Sequence, residues 1–271
     1  MFTFRKHHSL HTPARSRRRI FWGILGFAFF VRLCAIWLAG GSIAERSMSV
    51  DASSYHQIAK NVVEIGIFTS AVDPPYNPDI PGTFRPPLTP VYLAVFYRIF
   101  GTKLLWGQIG LAFAGALSCG LTYLLGIHVF DEQSGIIAGL ISSVYPFFIV
   151  LTLVPLTEGL SLFLCLFLLF QLYSSYSSPK TFKQVLGVGC VVGLLLLNKA
   201  ANITIMPCIV LWGFSPSFTA WKKGLMNVGF VLMFATLIVL PWTIRNYRVT
   251  GTLIPVNSNG GWTFYLGNNP Y

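Results

Sequence analysis

An all-α polytopic membrane protein is the fold class this sequence predicts, and three observations predict it. Its 271 residues are 54% hydrophobic and only 10% charged, whereas soluble domains carry about a quarter charged residues. The mean hydropathy is +0.65. Apolar runs near the roughly 20 residues that a spanning helix needs recur along the chain. They predict about seven spans, near 20–40, 104–127, 135–154, 158–178, 184–198, 201–216 and 224–244.

Residues 1–19 form a basic tail. Arg5, Lys6, Arg15, Arg17, Arg18 and Arg19 lie there with no acid among them. Such a tail before a first span belongs in the cytoplasm by the positive-inside rule. The net charge of +11 therefore points to a membrane surface, with no nucleic-acid partner. The run 20–40 is too long for the core of a signal peptide, and "WLAGGSIAERS" is a weak cleavage site, so a retained anchor is expected. Arg32 sits about 18 Å along this helix from Ile20 at 1.5 Å per residue; it either snorkels outward or pairs with an acid. The five cysteines all lie in apolar runs with no paired spacing, which reads as small buried hydrophobes and excludes a disulfide framework or a cysteine metal site.

Residues 41–103 are expected to form a large outer loop. Within it, Tyr55, Ile58, Ala59, Val62 and Ile65 follow helical spacing over 51–65, with Asp51 able to cap the N-terminus. Seven prolines over 66–90 exclude regular structure and suit a mobile lid or binding loop. The run 86–101 is either a short span or an interfacial helix. Parity decides. If it lies flat, Lys180, Lys183, Lys222 and Lys223 all fall on the cytoplasmic side; if it spans, all four fall outside, against the rule. It is therefore read as a second juxtamembrane helix, and 245–271 as the start of another outer loop.

Few residues can carry chemistry, since the chain holds only eight acids. Asp51 lies four residues before Tyr55 and so heads the apolar stripe. As a plain cap it contributes about 1 kcal/mol; as a carboxylate facing packed protein it is a candidate base, and the two readings are compatible. Glu158, in "LVPLTEGLSLF", is the one charge between Glu132 and Lys180. It is either a functional acid at a membrane boundary or a first-turn acid favouring the helix dipole. Arg85, Lys199, Arg245 and Arg248 fall on the side where the positive-inside rule expects few cations. They either meet lipid headgroups or hold an anionic substrate. His56 lies off the Asp51 stripe and reads as an ordinary interfacial side chain. Carboxylates take protons from hydroxyls and cations stabilise a departing phosphate, so a substrate with a lipid tail and a phosphate head fits this collection.

Four stretches carry a resemblance: "DASSYHQIA", with Asp51, Tyr55 and Ala59 four apart; "FRPPLTPVYLAVFYRIFG"; "VYPFFIVLTLVPLTEGLSLFL"; and "LPWTIRNYRVTGTLIPVNSNGGWTFYLGNNP". In these the chain resembles the GT-C type glycosyltransferases that use polyprenyl-phosphate sugars. The likeness is to the bacterial branch around dolichyl-phosphate-mannose protein mannosyltransferases, glycosyltransferase family 39, with the aminoarabinose lipid A transferase as a cousin. The resemblance implies a GT-C-like bundle with an inverting active site on the outer or periplasmic side of the cell inner membrane. It implies Asp51 as the base or orienting carboxylate, supported by Tyr55, with Glu158 as a second acid near the donor sugar or a metal. Arg85, Lys199 and Arg245 become candidates for the donor phosphate. The implied partners are a polyprenyl-phosphate sugar donor, an unknown acceptor (lipid, glycan or protein) and membrane lipid. No cofactor is demanded; two carboxylates allow a divalent metal ion, but no His, Cys or Asp spacing requires one.

Two features depart from the family pattern. Ala52 follows Asp51 where some members pair two acids. The chain also ends in "GNNPY", in mid-loop, which predicts that 20–271 is the N-terminal part of a longer transferase domain. The alternatives are a truncated inactive member and a lipid-linked sugar carrier. A carrier would favour acids and broken helices at mid-membrane.

Overall fold

The structure is a computed structural model and describes residues 14–39, 48–77, 79–215 and 220–269. Among these, all regular structure is helical. Arg5 and Lys6 of the basic tail lie outside the described residues, whereas Arg15 to Arg19 are already part of the first helix, α1 (Ala14–Ala39).

α2 (Val50–Glu64) begins with Ser49 as its cap; the Ser49 hydroxyl accepts from the Ala52 amide at 3.3 Å. Asp51 is therefore a first-turn residue and not the cap, which leaves its carboxylate free for other partners. α3 (Leu88–Phe100) starts directly after Pro86 and Pro87 and ends at Gly101, whose φ of 101° suits glycine. Its 13 residues reach about 20 Å at 1.5 Å each, short of a bilayer core.

Among the described residues, four helices are long and apolar enough to cross a membrane: α1, α4 (Leu104–Val129), α7 (Thr157–Ser174) and α10 (Trp221–Thr250). The expected span 135–154 is broken. α5 (Glu132–Val144) and α6 (Pro146–Leu153) meet at a 48° bend, because Pro146 has no amide hydrogen and its ring disfavours helical backbone at Tyr145. The expected spans 184–198 and 201–216 are shorter than a bilayer requires. α8 (Phe182–Asn198) has 17 residues and opens with a Thr181–Gln184 capping box. Beyond it Lys199 is extended, a 3₁₀ turn covers Ala200–Ile205, and α9 (Met206–Phe214) follows. After α10 the chain folds back over 251–259 into α11 (Gly260–Asn268).

The largest core joins α4, α7, α8, α9 and α10 around Leu164, Leu168, Val188, Leu195, Trp212 and Val231. α8 and α10 approach closely because Gly189 and Gly193 lie one turn apart on their contact. A β-carbon at Gly193 would stand 2.7 Å from the Ile238 β-carbon, the small-residue contact typical of membrane helix pairs. α1 packs on α4 and α5 through Ile24, Ala28, Ala116 and Tyr123. α2 and α3 pack on α4 through Tyr55, Ala59, Leu93, Tyr97 and Leu111.

Arg32 neither snorkels nor meets an acid among the described residues. It is 1% exposed. Its Nη1 donates to the Ala28 carbonyl at 2.9 Å and the Ser143 carbonyl at 3.4 Å, and its Nη2 lies 3.4 Å from Cys119 Sγ. Ser143 is in the last turn of α5, where Pro146 halts the helix. The cation thus caps a broken end whose carbonyls lack helical partners.

Candidate active site

The proline-rich stretch between α2 and α3 is packed, not loose. The Gly82 amide donates to the Phe68 carbonyl at 2.7 Å, and the Ser258 amide to the Thr83 carbonyl at 2.9 Å. The Phe68 ring meets Trp242 edge-on with centroids 4.7 Å apart. Arg245 is part of this clamp. Its Nη1 donates to the Gly82 carbonyl at 2.6 Å, and its guanidinium lies 4.7 Å from the Trp242 ring centroid. Asn246 holds the returning chain by donating to the Ile254 and Val256 carbonyls.

This packing delivers Arg85 to the head of α2. Arg85 precedes two prolines, which keeps it out of α3. It is 6% exposed and stands between two carboxylates. Its Nε and Nη2 grip Asp73, with Nε 3.1 Å and Nη2 2.9 Å from Asp73 Oδ1. The same Nη2 reaches Asp51 Oδ1 at 2.8 Å. Asp73 is buried, and its Oδ2 also accepts from Ser70 at 2.9 Å and from the Ser54 hydroxyl. Asp51, by contrast, keeps 60% of its side chain exposed. Burial works against the Arg85 cation, but the hydrogen bonds and charge of Asp73 and then Asp51 outweigh it and raise its pKa.

Tyr55 lies one turn below Asp51, with Arg85 5.5 Å from its ring centroid. Burial raises its phenol pKa above the ordinary value; the Asp51 and Glu158 charges add to this and Arg85 opposes it. Tyr55 therefore stays neutral near neutral pH, with Arg85 as a hydrogen-bond donor to its hydroxyl.

The second acid sits on another element, joined to α3 through Asn198 and Thr89. Glu158 opens α7 and pairs with Lys199, with Oε1 to Nζ at 2.8 Å; both side chains are nearly half exposed. Its other oxygen accepts from the Thr157 hydroxyl at 3.2 Å. The joint beneath the pair is Asn198, which is buried. Its Oδ1 accepts from Thr89 of α3 at 2.7 Å, and its Nδ2 donates to the Thr157 carbonyl and Ser161 hydroxyl at 2.8 Å.

The structure thus brings Asp51, Tyr55 and Arg85 into one cluster, and sets the Glu158–Lys199 pair where α7 and α8 are tied to α3 by Asn198. Arg245 stands a step away, bracing the loop that carries Arg85. Two residues escaped the sequence reading. Asp73 sat unremarked in the proline-rich stretch, where its only local signal was Ser70 three residues earlier. Asn198 is the last residue of the expected span 184–198 and carried no reading of its own. Arg85 already fills the space between Asp51 and Asp73, and no group of three His, Cys, Asp or Glu side chains gathers among the described residues. The Asp51 and Asp73 carboxylates are therefore bridged by a guanidinium and do not chelate an ion between them.

A protein-family model described as dolichyl-phosphate-mannose-protein mannosyltransferase matches residues 84–244, more than half of the chain. The matched stretch contains Arg85, Glu158 and Lys199; Asp51, Asp73 and Arg245 lie outside it. Neither a curated protein nor a solved structure matches the chain.

Proposed function

The chain belongs to the dolichyl-phosphate-mannose-protein mannosyltransferase family, and from that membership we propose that it moves a sugar from a polyprenyl-phosphate donor to an acceptor hydroxyl. The setting we assign is the outer face of the cell inner membrane, with the N-terminus in the cytoplasm. The observation that carries this reading is the Asp51 carboxylate, held at 2.8 Å by a buried arginine yet 60% open. It is anchored at one oxygen and accessible at the other.

In the proposed reaction the acceptor oxygen attacks C1 of the donor sugar. The C1–O bond to phosphate breaks as the new C1–O bond forms, with inversion at C1. Asp51 takes the hydroxyl proton, and polyprenyl phosphate leaves with the bonding electrons. Arg85 is assigned to Asp51 rather than to the phosphate, because its Nε and Nη2 are already engaged by carboxylates. Lys199 is the better phosphate ligand. It is nearly half exposed, and its acidic partner among the described residues is Glu158, a surface pair of the kind that contributes under about 1 kcal/mol and is readily exchanged. Once Lys199 turns to the phosphate, Glu158 is released toward the sugar. Arg245 contributes by bracing the Gly82 carbonyl, and Tyr55 by packing its ring against the Arg85 guanidinium.

One observation favours a second reading, a lipid-linked sugar carrier. The α5–α6 break with Arg32 at its corner resembles the discontinuous helices of transporters. Against it, Arg32 is 1% exposed, with Nη1 on two carbonyls and Nη2 on Cys119 Sγ inside the bundle, which leaves no open face toward a substrate.

The test uses membrane vesicles carrying the full chain and mannosyl polyprenyl phosphate labelled in the sugar. Asp51→Asn should lower transfer to endogenous acceptor by roughly a hundredfold or more, the scale of a lost general base, with insertion unchanged. Transfer at the wild-type rate by that variant removes the assignment. Movement of the label across the bilayer without transfer would support the carrier.

A further inference from the structure

We propose that Asp73 is a positioning residue: by gripping Arg85 along one edge, it restricts Arg85 to a single contact with Asp51 and so keeps the second Asp51 oxygen free. The inference rests on Asp51 being the proton acceptor.

The geometry has three parts. First, Asp73 is held by partners other than Arg85. Its Oδ2 accepts from Ser54, inside α2, and from Ser70 at 2.9 Å, and its side chain is 6% exposed. Buried carboxylates need such donors to stay charged. Second, Asp73 takes the side of the guanidinium formed by Nε and Nη2, with contacts of 2.9 to 3.2 Å. Asp51 receives only the corner at Nη2. Third, Arg and carboxylate prefer a two-pronged pairing. With Asp73 neutralised, nothing holds Nε, and the guanidinium is free to turn a whole edge onto Asp51. Both Asp51 oxygens would then be occupied, and the full positive charge would fall on the base.

Charge counting agrees. One arginine between two aspartates leaves a net negative charge on the cluster, so Arg85 is shared and does not close on Asp51 alone. Removing Asp73 leaves Asp51 and Arg85 as a closed neutral pair. The Asp73 site therefore acts on the quality of the base without touching the substrate.

The experiment compares Asp73→Asn, Asp73→Glu, Arg85→Gln and the double variant Asp73→Asn/Arg85→Gln, in full-length chain in membrane vesicles with labelled mannosyl polyprenyl phosphate. Asp73→Asn should lower kcat by roughly ten- to a hundredfold with KM for the donor within about twofold, the signature of an effect confined to the reacting state. Asp73→Glu should recover part of the rate. The double variant should be no slower than Arg85→Gln alone, because Asp73 acts only through Arg85. A turnover-independent readout is coupling of a water-soluble carbodiimide to Asp51, which should fall several-fold in Asp73→Asn. An unchanged kcat, a loss carried by KM, additive costs in the double variant, or unchanged labelling of Asp51 would each overturn the proposal. If Asp73→Asn fails to insert, Ser70→Ala removes one donor to Asp73 and should lower kcat by roughly two- to fivefold; no change there overturns it equally. Failure of this inference is separable from failure of the catalytic reading. An inactive Asp51→Asn beside a normal Asp73→Asn rejects only the role of Asp73, whereas an active Asp51→Asn rejects the base itself.

Discussion

Replacing Asn198 with leucine tests the joint that carries the Glu158–Lys199 pair. The Asn198 side chain closes three hydrogen bonds, one from Thr89 in α3 and two to Thr157 and Ser161 in α7. All are between 2.7 and 2.8 Å, and Asn198 and Thr89 are fully buried. At roughly 1 kcal/mol net per neutral hydrogen bond, the set contributes about 3 kcal/mol. Leucine keeps the branching of asparagine but is larger, and its methyl groups cannot approach the surrounding oxygens as closely, so overpacking adds to the polar loss. The expected destabilisation is therefore at least about 3 kcal/mol, read from unfolding by sodium dodecyl sulfate in mixed micelles followed by helical circular dichroism. The reasoning also fixes a double variant. With Thr89→Val added, the orphaned hydroxyl is removed, so the pair should cost about 1 kcal/mol less than the sum of the two single changes. Transfer should fall too, because Asn198 precedes Lys199 and its partner Thr157 precedes Glu158. A loss below about 1 kcal/mol for Asn198→Leu, or strict additivity with Thr89→Val, would refute the network as the source of stability.

Two further outcomes follow from the same geometry. The Tyr55 phenol is raised by burial first and then by the Asp51 and Glu158 charges. Its contribution to stability is complete below the unfolded value of about 10 and is lost as pH rises above it toward the folded value. Wild type should therefore lose more stability than Tyr55→Phe between about pH 10 and 11.5, and coincident alkaline unfolding curves would contradict this. In α8, a β-carbon at Gly193 would stand 2.7 Å from Ile238 Cβ and 2.9 Å from the Ala235 carbonyl. Gly193→Leu should separate α8 from α10 at a cost of about 2 kcal/mol or more, and a micelle titration indistinguishable from wild type would show that the two helices have room to spare.

How far the sequence discloses this molecule depends on whether a feature is local. Apolar runs are local, so the long helices α1, α4, α7 and α10 are legible from composition along the chain. The α5–α6 break was also present, as Tyr145–Pro146 inside an apolar run, but hydropathy alone averages over it. The shortness of α8 was written in Asn198–Lys199, where a polar joint interrupts the run. Asp51 shows the limit from the other side. Spacing put it at the head of α2, but whether it caps the helix turned on a shift of two residues, since Ser49 takes that role.

Asp73 was not legible, and the reason is physical. The loop that holds it has no period to reveal which side chains turn inward. Its burial depends on partners far along the chain, on Trp242 against Phe68 and on Ser258 against Thr83. Four acids lie among residues 48–103, and composition treats them alike. Glu64 stays at the surface with Lys60 and Thr102, and Asp79 remains exposed. What separates Asp51 and Asp73 from these is the reach of one arginine, held out of α3 by two prolines and pressed inward by a clamp about 160 residues downstream. The same clamp makes the rank of the acids testable without reference to catalysis. Arg245→Met removes the bond to Gly82, so it should loosen the Arg85 loop and expose Asp73 to carbodiimide, while Asp79, already open, should label as before. If Asp73 stays protected in that variant, the loop is held by its own hydrogen bonds and α10 has no part in shaping the site.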